Sequence, residues 1–483
     1  MHKPERVLAR DAEWSALAQF VEHPDNRMRL GVVSGRRRVG KSFLLRALAE
    51  VYGGLYVTAV AEEGVVPARR RFAGDIARYA GIGPELVADA GWESLLTTAI
   101  DLTARRNGLL VIDELPYWMA HSPELPGLLQ LLYDQSQAGL GQERGRVIVC
   151  GSAISVMNEL LSGTKALRGR ASIDLRLQPF DLPTMARHWG VDDPAVAVRL
   201  HSVLGGAPGY RNLANVPAPR TLAELDGWVA ATVLDPSQAL FSGSEAEYLL
   251  REDPRFTGSS LHYAIINAVA QGATSPAKIG GLLEQPRGSL TRPIEALAGA
   301  GFLRYDHDPL WERRPVITVA DPIVRFHNLI AVPQRDLVDT SRSAEAWRRA
   351  QPTFTARILG PHFEDCARAW LRAQDAGAGQ VTATVVNDAS GRAKHEIDVI
   401  ALDKRSGRAV VTLIGEAKAT ITKRGVADLD RLDRLRALLA EQGHDTSSAT
   451  LAVFSLEGFH ADLKATADRR DDVILVDLPT LLK

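Results

Sequence analysis

The sequence predicts an α/β protein built around a parallel sheet, and two stretches carry that prediction. The first, Leu30–Ser42 (LGVVSGRRRVGKS), is an apolar run that enters a glycine-bracketed turn and then an amphipathic helix, FLLRALAEVY. The second, Gly108–Trp118 (GLLVIDELPYW), is another apolar run, ending in two adjacent carboxylates. Strand-like and helix-like segments alternate around both, the layout of strands covered by helices on each face.

The elements follow in order. Arg10–Val21 places Trp14, Leu17, Ala18 and Val21 at helical spacing, so it reads as a helix laid on the sheet. In the first stretch Gly35 and Gly40 bracket Arg36, Arg37, Arg38 and Val39, and Lys41, Ser42 and Phe43 follow. This fills every fixed position of the GxxxxGKS phosphate loop. Glycines let backbone N–H groups close round phosphate oxygens, Lys41 reaches the outer phosphates, and Ser42 offers a hydroxyl to magnesium. The positive end of the helix that follows faces the anion.

A short strand at Leu55–Ala59 and helices over about Pro67–Ala80 and Trp92–Arg105 connect this loop to the second stretch. There Asp113 suits the magnesium shell beside Ser42, and Glu114 suits orienting or deprotonating the attacking water. A third strand, Arg146–Cys150, runs into Gly151-Ser152-Ala153-Ile154-Ser155. Ser152 is then a candidate γ-phosphate sensor and equally a helix N-cap. After TKALRGR (residues 164–170) comes a strand at Ile173–Leu177, and Arg170 or Arg168 can reach a phosphate in the same or a neighbouring subunit.

Composition bounds the rest. A chain of 483 residues, 46% apolar and 24% charged, is an ordinary globular sequence of about three domains. Its net charge of −1 gives no global pull toward nucleic acid or acidic membrane. Cys150 and Cys366 offer neither a disulfide framework nor a zinc site, and a reducing cytoplasm is the expected compartment. The first residues lack the apolar core of a signal peptide, and no apolar run is long enough to span a bilayer.

Residues from about Leu8 to Tyr210 resemble the prokaryotic AAA+ type ATPases related to the archaeal ATPase and STAND groups. The resemblance rests on GRRRVGKS, VIDELPYW, CGSAIS, the LRGR loop and Gly205-Gly206-Ala207-Pro208-Gly209-Tyr210. It implies a P-loop NTPase with a five-stranded core and a helical lid, ATP as the nucleotide, a tendency to form homo-oligomers, and Arg170 as the charge-stabilising arginine.

Beyond the lid, LHYAIINAVAQG, TSPAKIGGLL and SLTRPIEALAGAG read as three helices and FLRYDHDPLWERRPVITV as a hairpin, the winged-helix pattern. The helix Ser289–Ala300 carries Arg292 but also Glu295 and is mostly apolar, which favours a structural or partner-docking role over base reading. Residues 331–350 are polar and charged and read as a linker with some helix around Ala344–Arg349.

The last segment, 351–483, supplies a second constellation. A helix at Pro361–Gln374 carries Glu364 near its start, His395–Leu402 alternates as a strand through Asp398, and Val410–Ala417 leads into Glu416-Ala417-Lys418. Alternation puts Glu416 and Lys418 on one face, and a hairpin through residues 405–407 brings Asp398 beside them. Two carboxylates and an ammonium can hold a divalent cation, magnesium or manganese, and a water. Val426–Leu439 sets Leu429, Leu432, Leu435 and Leu439 at helical spacing, with further strands at Thr450–Ser455 and Val473–Val476.

Glu364, Glu396-Ile397-Asp398 and Glu416-Ala417-Lys418 resemble, in that order, the PD-(D/E)xK nuclease fold often fused to archaeal-type ATPases, with Glu-Ile-Asp standing where the strict pattern has Pro-Asp. That resemblance implies a small restriction-endonuclease-like α/β domain with Glu364, Asp398 and Glu416 as metal ligands and Lys418 in catalysis. The expected organisation is an ATPase domain at 1–215, lid remainder and winged helix at 216–330, linker at 331–350 and nuclease-like domain at 351–483. The expected function is ATP-regulated, magnesium-dependent cleavage of DNA in mobile-element handling or defence. The other reading is a nucleotide-driven switch or scaffold whose last domain binds nucleic acid or a partner without cutting.

Overall fold

A computed structural model describes residues 2–83, 90–140, 144–163, 165–251, 253, 255–256, 259–310, 315–374, 379–388, 391, 393–405 and 408–483. Thr164, the 311–314 turn of the expected hairpin and residues 406–407 of the second turn lie outside the described residues. The chain forms two compact units. The first is Met1–Pro179 with Ala207–Gly209 and Leu249–Gly258, and the second is Phe180–Gly206, Tyr210–Tyr248 and Ser259–Lys483.

In the first unit five parallel strands, β1 (Arg29–Ser34), β2 (Leu55–Thr58), β3 (Leu110–Asp113), β4 (Arg146–Gly151) and β5 (Ala171–Arg176), stand in the order β2-β3-β4-β1-β5. Helices α1 (Asp11–Glu22), α2 (Lys41–Val51), α3 (Val65–Ala80), α4 (Trp92–Arg105), α5 (Leu115–Met119), α6 (Leu125–Gln137) and α7 (Ile154–Leu160) cover it. Alternate residues of β1 to β4 serve opposite cores, whereas the edge strand β5 exposes every second residue. Leu30, Val32, Leu110 and Ile112 pack with Phe72, Trp92 and Trp118, whereas Val33, Leu109 and Val111 pack with Trp14, Leu17 and Leu48. A sheet buried on both faces needs apolar residues at every position, which is why these strands read as continuous runs. Because all five run the same way, Ser34, Asp113 and Gly151 end at one edge.

The second unit opens with α8 (Leu182–Trp189), α9 (Pro194–Leu204), α10 (Leu222–Ala231) and the part of α11 (Ser242–Arg251) up to Tyr248. Asp181 and Asp193 cap α8 and α9 by accepting from Thr184 and from Ala195 and Val196 N–H groups. Residues 180–206 and 210–215, expected with the first domain, thus group with the second unit. Three helices follow, α12 (Ser260–Ala270), α13 (Pro276–Leu283) and α14 (Arg287–Gly299), then the antiparallel pair β6 (Leu303–Asp306) and β7 (Val316–Val319) and a short α15 (Pro322–Phe326).

The stretch 331–350 is not a linker. It contains α16 (Arg335–Asp339) and the start of α17 (Ser343–Phe354), which bury Leu337, Val338, Ala346, Trp347 and Ala350. The Trp347 indole donates to Asp226 on α10 at 2.7 Å. Its polar residues are the solvent faces of packed helices, which composition alone does not separate from a linker.

The chain ends with α18 (Gly360–Gln374), β8 (Gln380–Asp388), β9 (Ala393–Arg405), β10 (Arg408–Lys418), α19 (Val426–Glu441), β11 (Thr450–Ser455), α20 (Ala461–Ala467), β12 (Val473–Asp477) and α21 (Leu478–Leu481). Its sheet runs β12-β11-β10-β9-β8, antiparallel from β8 to β10 and parallel from β10 to β12. Leu429, Leu432, Leu435 and Leu439 of α19 form the stripe that packs on Val386, Ile397, Ile400 and Ile414. Among the described residues no helix is long and apolar enough to cross a membrane.

Candidate functional site

The phosphate loop occupies the edge where β1 ends. Gly35 and Gly40 have φ of 152° and 94°, values that side chains disfavour, and a Cβ on Gly35 would lie 2.6 Å from the Leu177 carbonyl. Lys41 is buried, and its ammonium donates to the carbonyls of Gly35 at 2.8 Å and Arg36 at 3.1 Å and to Ser152 Oγ at 2.9 Å. Ser42 and Phe43 are exposed on the first turn of α2, with Phe43 at 53% accessibility. The segment Ala207–Gly209 returns to the loop. The Gly209 N–H donates to the Arg38 carbonyl at 3.0 Å, and a Cβ there would meet the Arg38 Cβ at 2.9 Å. Glycine at 209 therefore lets this segment close on the loop.

The two acids at the end of β3 are held differently from one another. Asp113 is buried, accepts the Tyr56 phenol and accepts the Glu114 N–H at 3.1 Å. Burial, then the Asp113 charge, pushes the Tyr56 phenol up. Glu114 sits at φ 54°, and its carboxylate accepts both the Ser152 N–H, at 3.0 Å, and the Ser152 hydroxyl. Ser152 thus joins Lys41 to Glu114. An Asp and a Ser hydroxyl at the mouth of a phosphate loop suit a magnesium shell, and Asp113 and Ser42 are the residues that would provide it.

Arg170 lies in the loop before β5, with its guanidinium on both Asp134 oxygens at 2.8 and 2.9 Å. The fork that would meet a phosphate is already spent on a carboxylate of the same chain. Sequence reasoning missed Tyr56 and also Arg10, which donates to the Val39 carbonyl at 3.1 Å and the Gln178 carbonyl at 2.6 Å. Neither had a local signal, because each meets its partner only through the sheet order.

In the last sheet, Gly415 of β10 pairs with Val399 of β9, so the next residues, Glu416 and Asp398, fall opposite one another. Asp398 accepts the Ala417 N–H at 2.9 Å, and Lys418 Nζ lies 2.7 Å from Glu416 and 3.4 Å from Asp398. Arg431 of α19 also pairs with Glu416. From α18, Arg368 donates to the Asp398 carbonyl and to Asp365 at 2.5 and 2.7 Å. Glu364 feels the site as charge: burial, then Asp398, raises its carboxyl to about 7. A cavity of about 430 Å³ opens over Glu364 and Asp398, with Arg304, Asp306 and Thr384 among its walls.

Asp398, Glu416 and Lys418 are therefore brought together as the sequence predicts. Glu364, expected as a third ligand, lines the same cavity as Asp398 and feels its charge. Among the described residues, the trio whose ligand atoms all lie within 4.8 Å of one another is His201, His362 and Cys366. Two carboxylates on adjacent strands suit a hard cation, and Asp398 and Glu416 are the residues that would hold it.

The loop geometry and strand order of the first unit define a P-loop nucleotide-binding fold. No family model matches the chain, and no curated protein matches it. Solved structures similar to it include the Walker-type ATPase paby2304 of Pyrococcus abyssi, at 19% identity over 68% of this chain and 97% of that one, with a TM-score of 0.48. Another is the Aeropyrum pernix ORC2 protein in its ADPNP–ADP complexes, at 16% identity over 71% and 96%, with a TM-score of 0.41. A third is a STAND protein with a tetratricopeptide repeat sensor from Pyrococcus horikoshii, at 12% identity over 77% and 51%, with a TM-score of 0.31.

Proposed function

We propose that this protein hydrolyses ATP in its first unit and cleaves phosphodiester bonds of DNA at the Asp398–Glu416–Lys418 cluster. The ATPase reading rests on the Lys41–Ser152–Glu114 relay, which links the phosphate-holding lysine to the carboxylate that serves the water. Lys41 binds the outer phosphates by giving up its bonds to the Gly35 and Arg36 carbonyls. Glu114 takes the proton of the attacking water or orients it, while Ser152 fixes its carboxylate. Magnesium, when bound by Ser42 and Asp113, supplies charge neutralisation for the phosphates. Arg170 acts only where Asp134 is exchanged for phosphate. If a neighbouring copy drives that exchange, specific ATPase activity rises with protein concentration in the wild type and not in Arg170→Ala. A flat profile in both removes Arg170 from the mechanism.

The observation that carries the nuclease reading is that Lys418 stands 2.7 Å from Glu416 and 3.4 Å from Asp398, two carboxylates set opposite each other on adjacent strands. Lys418 orients the nucleophile and balances developing negative charge. The helix-strand-strand-strand-helix-strand order from α18 to β11 supports the same reading, as do the three helices and hairpin before it for a winged helix that docks DNA or a partner. Plasmid cleavage by the full chain, with and without magnesium, manganese and ATP, tests it. Metal-dependent nicking that is lost in Lys418→Ala supports it, and no cleavage under any of these conditions refutes it. The second reading, a nucleotide-driven switch that binds without cutting, is favoured by the Arg431–Glu416 pair, which engages a carboxylate the cation needs.

A further inference from the structure

We propose that His201, His362 and Cys366 form a zinc site that ties α9 to α18. His362 and Cys366 are one helical turn apart on α18, so both side chains leave the same face. His201 comes from α9, and its Nδ1 stands 2.8 Å from His362 Nε2. One ligand atom from each of the three lies within 4.8 Å of the others, and His362 and Cys366 are 5% and 8% exposed.

A hydrogen-bonded histidine pair accounts for the 2.8 Å contact and, in the same tautomer, for the outer nitrogen of His201 donating to the Phe180 carbonyl at 3.3 Å. It does not account for a buried thiol in the same space. Donation from that His201 nitrogen to a carbonyl leaves Nδ1 unprotonated and fixes the ring, the support that metal-binding histidines ordinarily have. Two imidazole nitrogens and a sulfur form a borderline-soft donor set, suited to zinc rather than to magnesium. Zinc would need the two nitrogens roughly 3.3 Å apart, a small opening of the present pair.

On binding, the thiol proton leaves to solvent, the His362 proton moves from Nε2 to Nδ1, and a sulfur and two nitrogens bond the ion. A water completes the fourth position. Glu364 is two residues from His362, about 200° round the helix, so an ion here fixes the helix face opposite the one that carries Glu364.

Metal analysis of the full chain, dialysed against buffer containing traces of zinc, should find one zinc per chain that is retained in Asp398→Ala. Cobalt in place of zinc should show a thiolate-to-cobalt charge-transfer band. That band should persist in Cys150→Ala and in Asp398→Ala and vanish in Cys366→Ser, and a chelator should lower the melting midpoint of the wild type by about 5 °C. Since the chain has two cysteines, the wild type and Cys150→Ala decide the matter even if Cys366→Ser fails to fold. No retained zinc and no thiolate band in either protein would overturn the proposal, as would a band that survives in Cys366→Ser.

Discussion

The molecule holds two pairs of carboxylates on or beside buried strands, and they are stabilised in opposite ways. Asp113 and Glu114 are braced by neutral donors, the Tyr56 phenol and the Ser152 hydroxyl and N–H. Asp398 and Glu416 are compensated by cations, Lys418 and Arg431. Neutral donors hold a carboxylate in place without cancelling its charge, so the first site stays ready for a cation. Ion pairs cancel the charge, so the second site must exchange a partner before a metal enters.

The largest effects should come from the braced site. Lys41→Ala is expected to weaken ATP binding about a hundredfold, because it removes a charged donor to the phosphates. Glu114→Gln should keep binding and slow turnover by about 100- to 10,000-fold. Equilibrium binding of a fluorescent ATP analogue and steady-state hydrolysis separate the two. Wild-type turnover in Glu114→Gln would show that bracing by Ser152 serves structure alone.

A smaller effect should distinguish the caged site. Asp398→Ala should lose manganese binding at the second site, since a hard cation needs that oxygen. Arg431→Ala should instead raise manganese affinity by about three- to tenfold, because the cation then competes with one ammonium rather than with two positive groups. Titration calorimetry on the nucleotide-free chain measures both. Weaker binding in Arg431→Ala would mean that Arg431 shapes the site and does not block it.

The smallest effect concerns pH. Glu364 titrates at about 7 in the folded protein against an ordinary value of 4.5. The folded state therefore keeps a proton that the unfolded chain has released, and stability falls as pH rises from about 4.5 to about 7. After allowance for solvent screening the change amounts to about 1–2 kcal/mol. Urea denaturation in the presence of chelator should show this slope in the wild type and not in Glu364→Gln. An unchanged slope in the variant would place the titration elsewhere.

The nucleotide loop was legible in the sequence because its chemistry is contiguous. Gly35 to Ser42 must be adjacent for one turn to wrap a phosphate, and the strand and helix that hold it are written beside it as an apolar run and an amphipathic period. The same holds for Glu416 and Lys418, set on one face by alternation. The residues 331–350 misled because a packed helix and a linker share a polar composition when only one stripe is buried.

By itself, then, the sequence determined the strand-ending loops, the α/β class and the pairs of residues that share one face of one element. Tertiary structure decided what meets across elements. It placed Tyr56 on Asp113, Asp134 on Arg170 and Arg431 on Glu416, and set Glu364 in one cavity with Asp398. It also brought His201 to within 2.8 Å of His362, although 161 residues separate them along the chain. The physical reason is range: periodicity reports which face a side chain takes, whereas its partner is set by strand order and helix packing, which no local pattern records.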